Sequence, residues 1–206
     1  MSTPELSVRD SVGLFAEQVA AHAPTPGGGA VAPAIGSLAA SLGSMVLAYT
    51  LGKAKYAEHA PMHEAAAAVL VETRDALLEA ADEDARAYAA LNEAMGLHKD
   101  DPARSERVAA AASMAAAVPA SVIKSCHDLL ELLESLAGQT NRMLRSDLAI
   151  AAVLAEACCR ASAWNVRINL PLMHVGPERD ELAMLADSAA GRAREIGERI
   201  ERACIH

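Results

Sequence analysis

Three consecutive glycines, Gly27-Gly28-Gly29, follow Pro24-Thr25-Pro26 and precede a long apolar run, and they are the first residues in the chain that could do chemistry. Free backbone N–H groups at a helix start favour an anion or an electron-rich ligand edge. The same glycines also suit a plain turn needing positive φ, and the spacing is neither a Walker loop nor a dinucleotide fingerprint. Asp147, in Ser146-Asp147-Leu148, opens a nearly uncharged segment, where a carboxylate is either a partner of the helix macrodipole or a pocket acid/base. Asp82 and Asp84 fall on different faces of one predicted helix, so at most one of them faces a pocket. Lys53, Lys55 and Lys99 flank breaks between helices, where an ammonium group reaches a ligand carboxylate or is simply solvated. Asn165 and Asn169 are polar in an apolar neighbourhood and must be hydrogen-bonded if buried.

Metal chemistry finds little support in the residue spacing. Of the seven histidines, only His59 and His63 form a helical i, i+4 pair, and Pro61 lies between them. There is no HExxH and no Cys/His cluster, so no metal and no redox cofactor are expected. The four cysteines lack a CxxC spacing, and Cys126 and His127, as helix neighbours, point apart and cannot act as a nucleophile pair. They read as reduced thiols of a cytoplasmic protein.

The elements that hold these residues are helices. Hydrophobic residues make up 52% of the 206-residue chain and aromatics only 2%, with alanine filling the gap. Alanine is the best helix former and a poor strand former, which all but excludes a sheet. Ser7 is placed to cap a first helix with Val12, Phe15 and Val19 on one face. Pro24 to Gly52 carries no charge, yet its Ala, Gly and Ser content and its prolines insert poorly into lipid, so Ala30 to Leu51 reads as a buried core or interface helix. Pro61 opens a helix to Met95 with Val69, Leu70, Leu77, Leu78 and Ala81 inward. A further helix from about Ala103 to Ala137 should be kinked or interrupted by Pro119. Ser146 is expected to cap the next helix, which runs to Trp164. Asn165 to Leu170 then alternates, a loop spans Pro171 to Pro177, and Glu178 to Arg202 is amphipathic. The sum is a single all-α domain over residues 1–206, a helical bundle of about five to six helices. Its net charge of −9 repels polyanions, so neither nucleic acid nor membrane is an expected partner.

Seven segments in order resemble one family: Pro24-Thr25-Pro26-Gly27-Gly28-Gly29, Gly43-Ser44-Met45-Val46, Thr50-Leu51-Gly52-Lys53-Ala54-Lys55-Tyr56, Asp82-Glu83-Asp84-Ala85, Val118-Pro119, Ser146-Asp147-Leu148 and Asn165-Val166-Arg167-Ile168-Asn169. Together they are similar to the cyclodeaminase/cyclohydrolase family of one-carbon folate metabolism, over nearly the whole chain. The resemblance implies an all-α homodimer with the glycine loop and the Ser-Asp element near a folate pocket, in a stand-alone form without a formiminotransferase domain. It departs from the family pattern at Leu97-His98-Lys99, where Leu-Pro-Lys is usual, and at Thr140-Asn141, where Gly-Asn is usual. Ala109 and Ala110 replace a common Gln-Glu pair, and Ala54 interrupts the lysine run.

The chemistry so implied is collapse of a tetrahedral carbon between two amine nitrogens, assisted by one carboxyl that takes and returns a proton. Asp147 is the first expectation for that role, with Asp82 and Asp84 as alternatives. Substrate contacts are expected from Gly27, Gly28, Gly29, Lys53, Lys99, His98, Asn141, Ser146, Asn165 and Asn169. Two other functions fit the same residues. One is an imine or iminium cyclisation of Pictet–Spengler type on a non-folate amine; the other is a non-catalytic helical dimer that binds a small ligand.

Overall fold

The computed structural model describes residues 8–205, so Ser7, the expected first cap, and His206 lie outside the described residues. Six α-helices follow in order: α1 (Val8–Ala20), α2 (Gly28–Ala48), α3 (Ala60–Met95), α4 (Arg104–Leu136), α5 (Arg145–Asn169) and α6 (Pro177–Ile205). No strand occurs among the described residues. Contacts of α2 with α3, α3 with α4, α4 with α5 and α5 with α2 close a four-helix ring, and α6 lies along α4 and α5. The core is aliphatic: Leu47 of α2, Leu70 and Leu77 of α3, Ile123, Leu130 and Leu133 of α4, Leu148 of α5 and Ile200 of α6 are fully buried. Small residues let the backbones approach. A Cβ on Gly36 would press on Cys158 Sγ at 2.8 Å, and one on Gly43 would touch Leu133 and Leu70.

Four expectations need correcting. Pro119 does not interrupt α4, which runs unbroken from Arg104 to Leu136. A proline has no N–H for the carbonyl four residues back, here that of Ala115, and the Asn169 side-chain amide donates to that oxygen at 3.3 Å. Ser146 is not a cap. A short 3₁₀ turn, Arg142–Leu144, runs straight into α5, and the capping side chain is Asn141, which accepts from the Met143 amide at 3.2 Å. Asn165 to Asn169 is helical, and its alternation comes from three environments: Val166 is buried, Arg167 donates to the Ala186 carbonyl of α6, and the asparagines face a cavity. Finally, Val69 and Leu78 are about half exposed, while Leu70 and Leu77 carry the inward face of α3.

Two helices, α2 and α4, are long and apolar enough to cross a membrane by length and composition, with 56% and 50% of the apolar windows buried within the bundle. The outward side of α2 stays apolar: Val31, Ile35, Leu38, Leu42, Met45 and Tyr49 form a stripe with helical spacing, and Leu38 is 52% exposed. Beside it, α5 presents Ile150, Val153, Trp164 and Ile168, the last two 71% and 73% exposed.

Candidate active site

A cavity of about 290 Å³ opens where α2 begins and α5 ends. Its wall is made by Thr25 and Gly27–Gly29 of the loop, Asp84, Tyr88 and Leu91 of α3, and Asn165 and Asn169 of α5. The Gly27 carbonyl accepts from the amides of Ala30 and Val31, which starts the helix and leaves the Gly28 and Gly29 N–H groups without a backbone partner. The Thr25-Pro26 peptide is cis. A Cβ built on Gly29 would overlap the carboxyl group of Asp84, so glycine is required there for space and not for backbone conformation.

Asp84 makes no ion pair and no hydrogen bond among the described residues, and half-burial pushes its pKa up. Removing water without supplying a partner disfavours the charged form. Asp82, two residues away, is exposed on the opposite side of α3. Tyr88 stands one helical turn beyond Asp84 in the same wall. Asn169 is held in place by the Ala115 and Asn165 carbonyls, at 3.3 and 2.9 Å, while the Asn165 side chain has no hydrogen bond among the described residues. The cavity therefore combines one unpaired carboxyl group, two free helix-start amides and one free carboxamide on a largely apolar wall. Such a site can hold a cation against Asp84, orient a carbonyl or ring nitrogen, and transfer a proton.

The other expected site residues do not join this cavity. Asp147 and Ser146 lie in the first turn of α5, with Asp147 half-buried. The 18 residues from Asp147 to Asn165 span about 27 Å at 1.5 Å per residue. Lys53 follows the C-terminal end of α2, about 30 Å from Gly28 by the same rise. Asn141 is occupied structurally: its side chain donates to the Tyr49 carbonyl at 3.1 Å and its main-chain amide donates to Thr50 Oγ1 at 3.0 Å. His98 and Lys99 are exposed on the turn between α3 and α4, where His98 approaches only Asp100, and they line none of the cavities described here. Tyr88 went unnoticed in the sequence, although its i+4 spacing from Asp84 was the available signal.

Elsewhere the chemistry is muted. Cys126, Cys158, Cys159 and Cys204 are free and buried, and desolvation pushes the Cys159 thiol up to about 12. Among the described residues no group of three or more His, Cys, Asp or Glu is arranged to hold a metal ion.

An all-α ring that brings a half-buried, unpaired carboxyl group against a glycine-opened helix start defines the fold and its candidate site. The family model described as Formiminotransferase-cyclodeaminase matches residues 11–184, and the chain belongs to that family. It is 32% identical over 168 residues to the methenyltetrahydrofolate cyclohydrolase of Methylorubrum extorquens, covering 78% of this chain and 79% of that one. It is 36% identical over 183 residues to the formimidoyltransferase-cyclodeaminase of Mus musculus, covering 82% of this chain but 32% of that protein. The chain thus matches about a third of the length of the formimidoyltransferase-cyclodeaminases. A crystal structure of formiminotetrahydrofolate cyclodeaminase from Thermotoga maritima superposes with a TM-score of 0.86 at 29% identity, covering 98% of this chain and 96% of that one.

Proposed function

We propose that this chain is a one-carbon folate enzyme that interconverts formimino-, methenyl- and formyl-tetrahydrofolate by acid/base-assisted cyclisation or hydrolysis. The observation that carries the reading is Asp84, a half-buried and unpaired carboxyl group in the cavity wall at the start of α2. The names of the relatives supply the substrate class. In the hydrolytic direction water adds to the amidinium carbon as Asp84 accepts one of its protons; the tetrahedral carbon then collapses to the formyl group as that proton passes to the departing ring nitrogen and the hydroxyl proton is released to solvent. In the deaminating direction the second amine of the folate adds to the formimino carbon, and the proton leaves with ammonia. A pKa raised toward neutrality suits a group that must both take and give a proton. The substrate's delocalised cation is stabilised against the carboxylate, most strongly where water is excluded. These steps call on no metal and no redox cofactor.

The working form in this reading is a cytoplasmic homodimer. Support for the dimer is the uncharged stripe along α2, with Leu38 half exposed, and the exposed Trp164 and Ile168 of α5. We place the two copies of α2 antiparallel, the arrangement in which Lys53 and Asp147 of one copy would face the glycine loop of the other, which they do not reach within one chain.

The test is turnover of 5,10-methenyl- and 5-formimino-tetrahydrofolate by the purified protein and by Asp84→Asn. Turnover of at least one folate is expected, reduced about 10²–10⁴-fold in the variant. Failure of both folates at high enzyme concentration overturns the folate reading, and an unaffected variant removes the role from Asp84.

A further inference from the structure

A second cavity, of about 310 Å³, lies at the opposite end of α2, between the turn after that helix and the first turns of α3. It is lined by Thr50 and Lys53 from the turn, Tyr56 from the 3₁₀ segment Ala54–His59, and His63 and Glu64 from α3. His63 is fully buried, and neither ring nitrogen has a hydrogen-bond partner. Leaving such a group unsatisfied costs stability, and a leucine of similar size would avoid the cost. Burial lowers the His63 pKa, and the nearby His59 ring, 6.0 Å away centre to centre, offers no bond and lowers it further. The Gln139 carbonyl pulls the other way without reaching hydrogen-bond geometry.

The polar groups around it are of two kinds. Thr50 is engaged, donating to the Val46 carbonyl at 2.7 Å and accepting from the Asn141 amide. Lys53 is not: every ion pair among the described residues uses arginine or histidine, and none uses a lysine. In a chain of net charge −9, the exposed, unpaired Lys53 and the buried, unsatisfied His63 imidazole line one cavity, where Lys53 also offsets the charge of the exposed Glu64 carboxylate. Together Lys53 and His63 offer a charged donor and a neutral N–H, the donors that a carboxylate accepts. The cavity is large enough for a short dicarboxylate or an amino-acid side chain.

We propose that this cavity is a binding site for a carboxylate group, with Lys53 and His63 as its two donors. The assignment does not depend on the folate reading. The carboxylate has two possible sources, a free small acid or the glutamate tail of a ligand held by a partner copy, and the test separates them. Imidazole proton and nitrogen resonances of His63 are followed while the full-length protein is titrated with L-glutamate, with glutarate, and with mono- and triglutamyl tetrahydrofolate. Saturable shifts with the free acids support the site and make it one for a small ligand. Shifts with the triglutamyl compound alone also support it and assign it to a tail. Lys53→Ala should weaken either binding about 10- to 100-fold. His63→Leu keeps the volume, should raise the melting temperature, and should abolish the binding. If none of these carboxylates moves the His63 resonances, or if His63→Leu binds them as the wild type does, the proposal is overturned. Failure of folate turnover with intact glutamate binding would leave this site standing while the proposed function falls.

Discussion

Asp84 sits where two requirements oppose each other, since the half-dry wall that raises its pKa also makes its charge unfavourable. A carboxyl group whose folded pKa lies above its unfolded value contributes most below the ordinary aspartate range, and that contribution is lost as pH rises through the folded pKa. At neutral pH the ionised group is therefore a liability to the fold. Asp84→Asn should melt at or above the wild-type temperature near pH 7, with the advantage shrinking toward about pH 4, while turnover falls. A variant that melts well below wild type at neutral pH would mean that the carboxylate is structurally supported after all. Gly29 belongs to the same unit. In Gly29→Ala the methyl group occupies the position of the Asp84 carboxyl, so turnover should fall about as far as in Asp84→Asn while circular dichroism shows the helices intact. The double variant should be little worse than either single one, because groups acting as a unit are not additive. The sequence put Asp84 and the glycines among the candidates but could not rank Asp84 above Asp147. The proposal of Asp84 in place of Asp147 rests on burial and on distance between helices, which no local pattern encodes.

At the scale of elements, α2, α3 and α6 were legible almost to their ends, because an alanine-rich chain punctuated by Pro and Gly leaves few alternatives to helix. Pro61 at the start of α3 and Gly52, with φ +76, after α2 are the clearest signals. Misreadings occurred where a distant side chain repaired a local defect. Pro119 was expected to kink or interrupt α4; the helix is not interrupted, and the Asn169 amide that satisfies the freed Ala115 carbonyl comes from 54 residues away in the chain. The two positions should therefore be coupled. Asn169→Ala should cost about 1 kcal/mol in an otherwise native chain, and less in a Pro119→Ala background, where a restored amide at position 119 can bond Ala115. Denaturant unfolding of the four proteins gives the coupling directly; equal costs in both backgrounds would show that Asn169 stabilises by some other contact.

The whole molecule has an inside-out asymmetry that the charge pattern explains. Ion pairs gather on α4 and α6, where Arg192 bonds Glu131 and Arg199 bonds Glu134, so that side meets water. The α2 side has no charge from Pro24 to Gly52, and the chain alone does not fill it. None of the α1 residues from Ser11 to Ala20 is fully buried, so that helix does not cover the stripe as a core element would. In the proposed homodimer a second copy would meet the same face and cover both stripes at once, as an isologous interface requires. Leu38, half exposed at the middle of the stripe, is the place to break it. Leu38→Glu should give a monomer by light scattering with its helix content retained, since the new carboxylate stays in water in the isolated chain and is trapped without a partner in the pair. Turnover separates a dimer that merely stabilises from one that completes a site. If the partner's Lys53 and the partner's Asp147 serve each glycine loop, mixing inactive Asp84→Asn with inactive Asp147→Asn should restore activity, because a mixed dimer carries one site with both carboxylates intact. A mixture that stays inactive after exchange of subunits would confine the chemistry to the single-chain cavity.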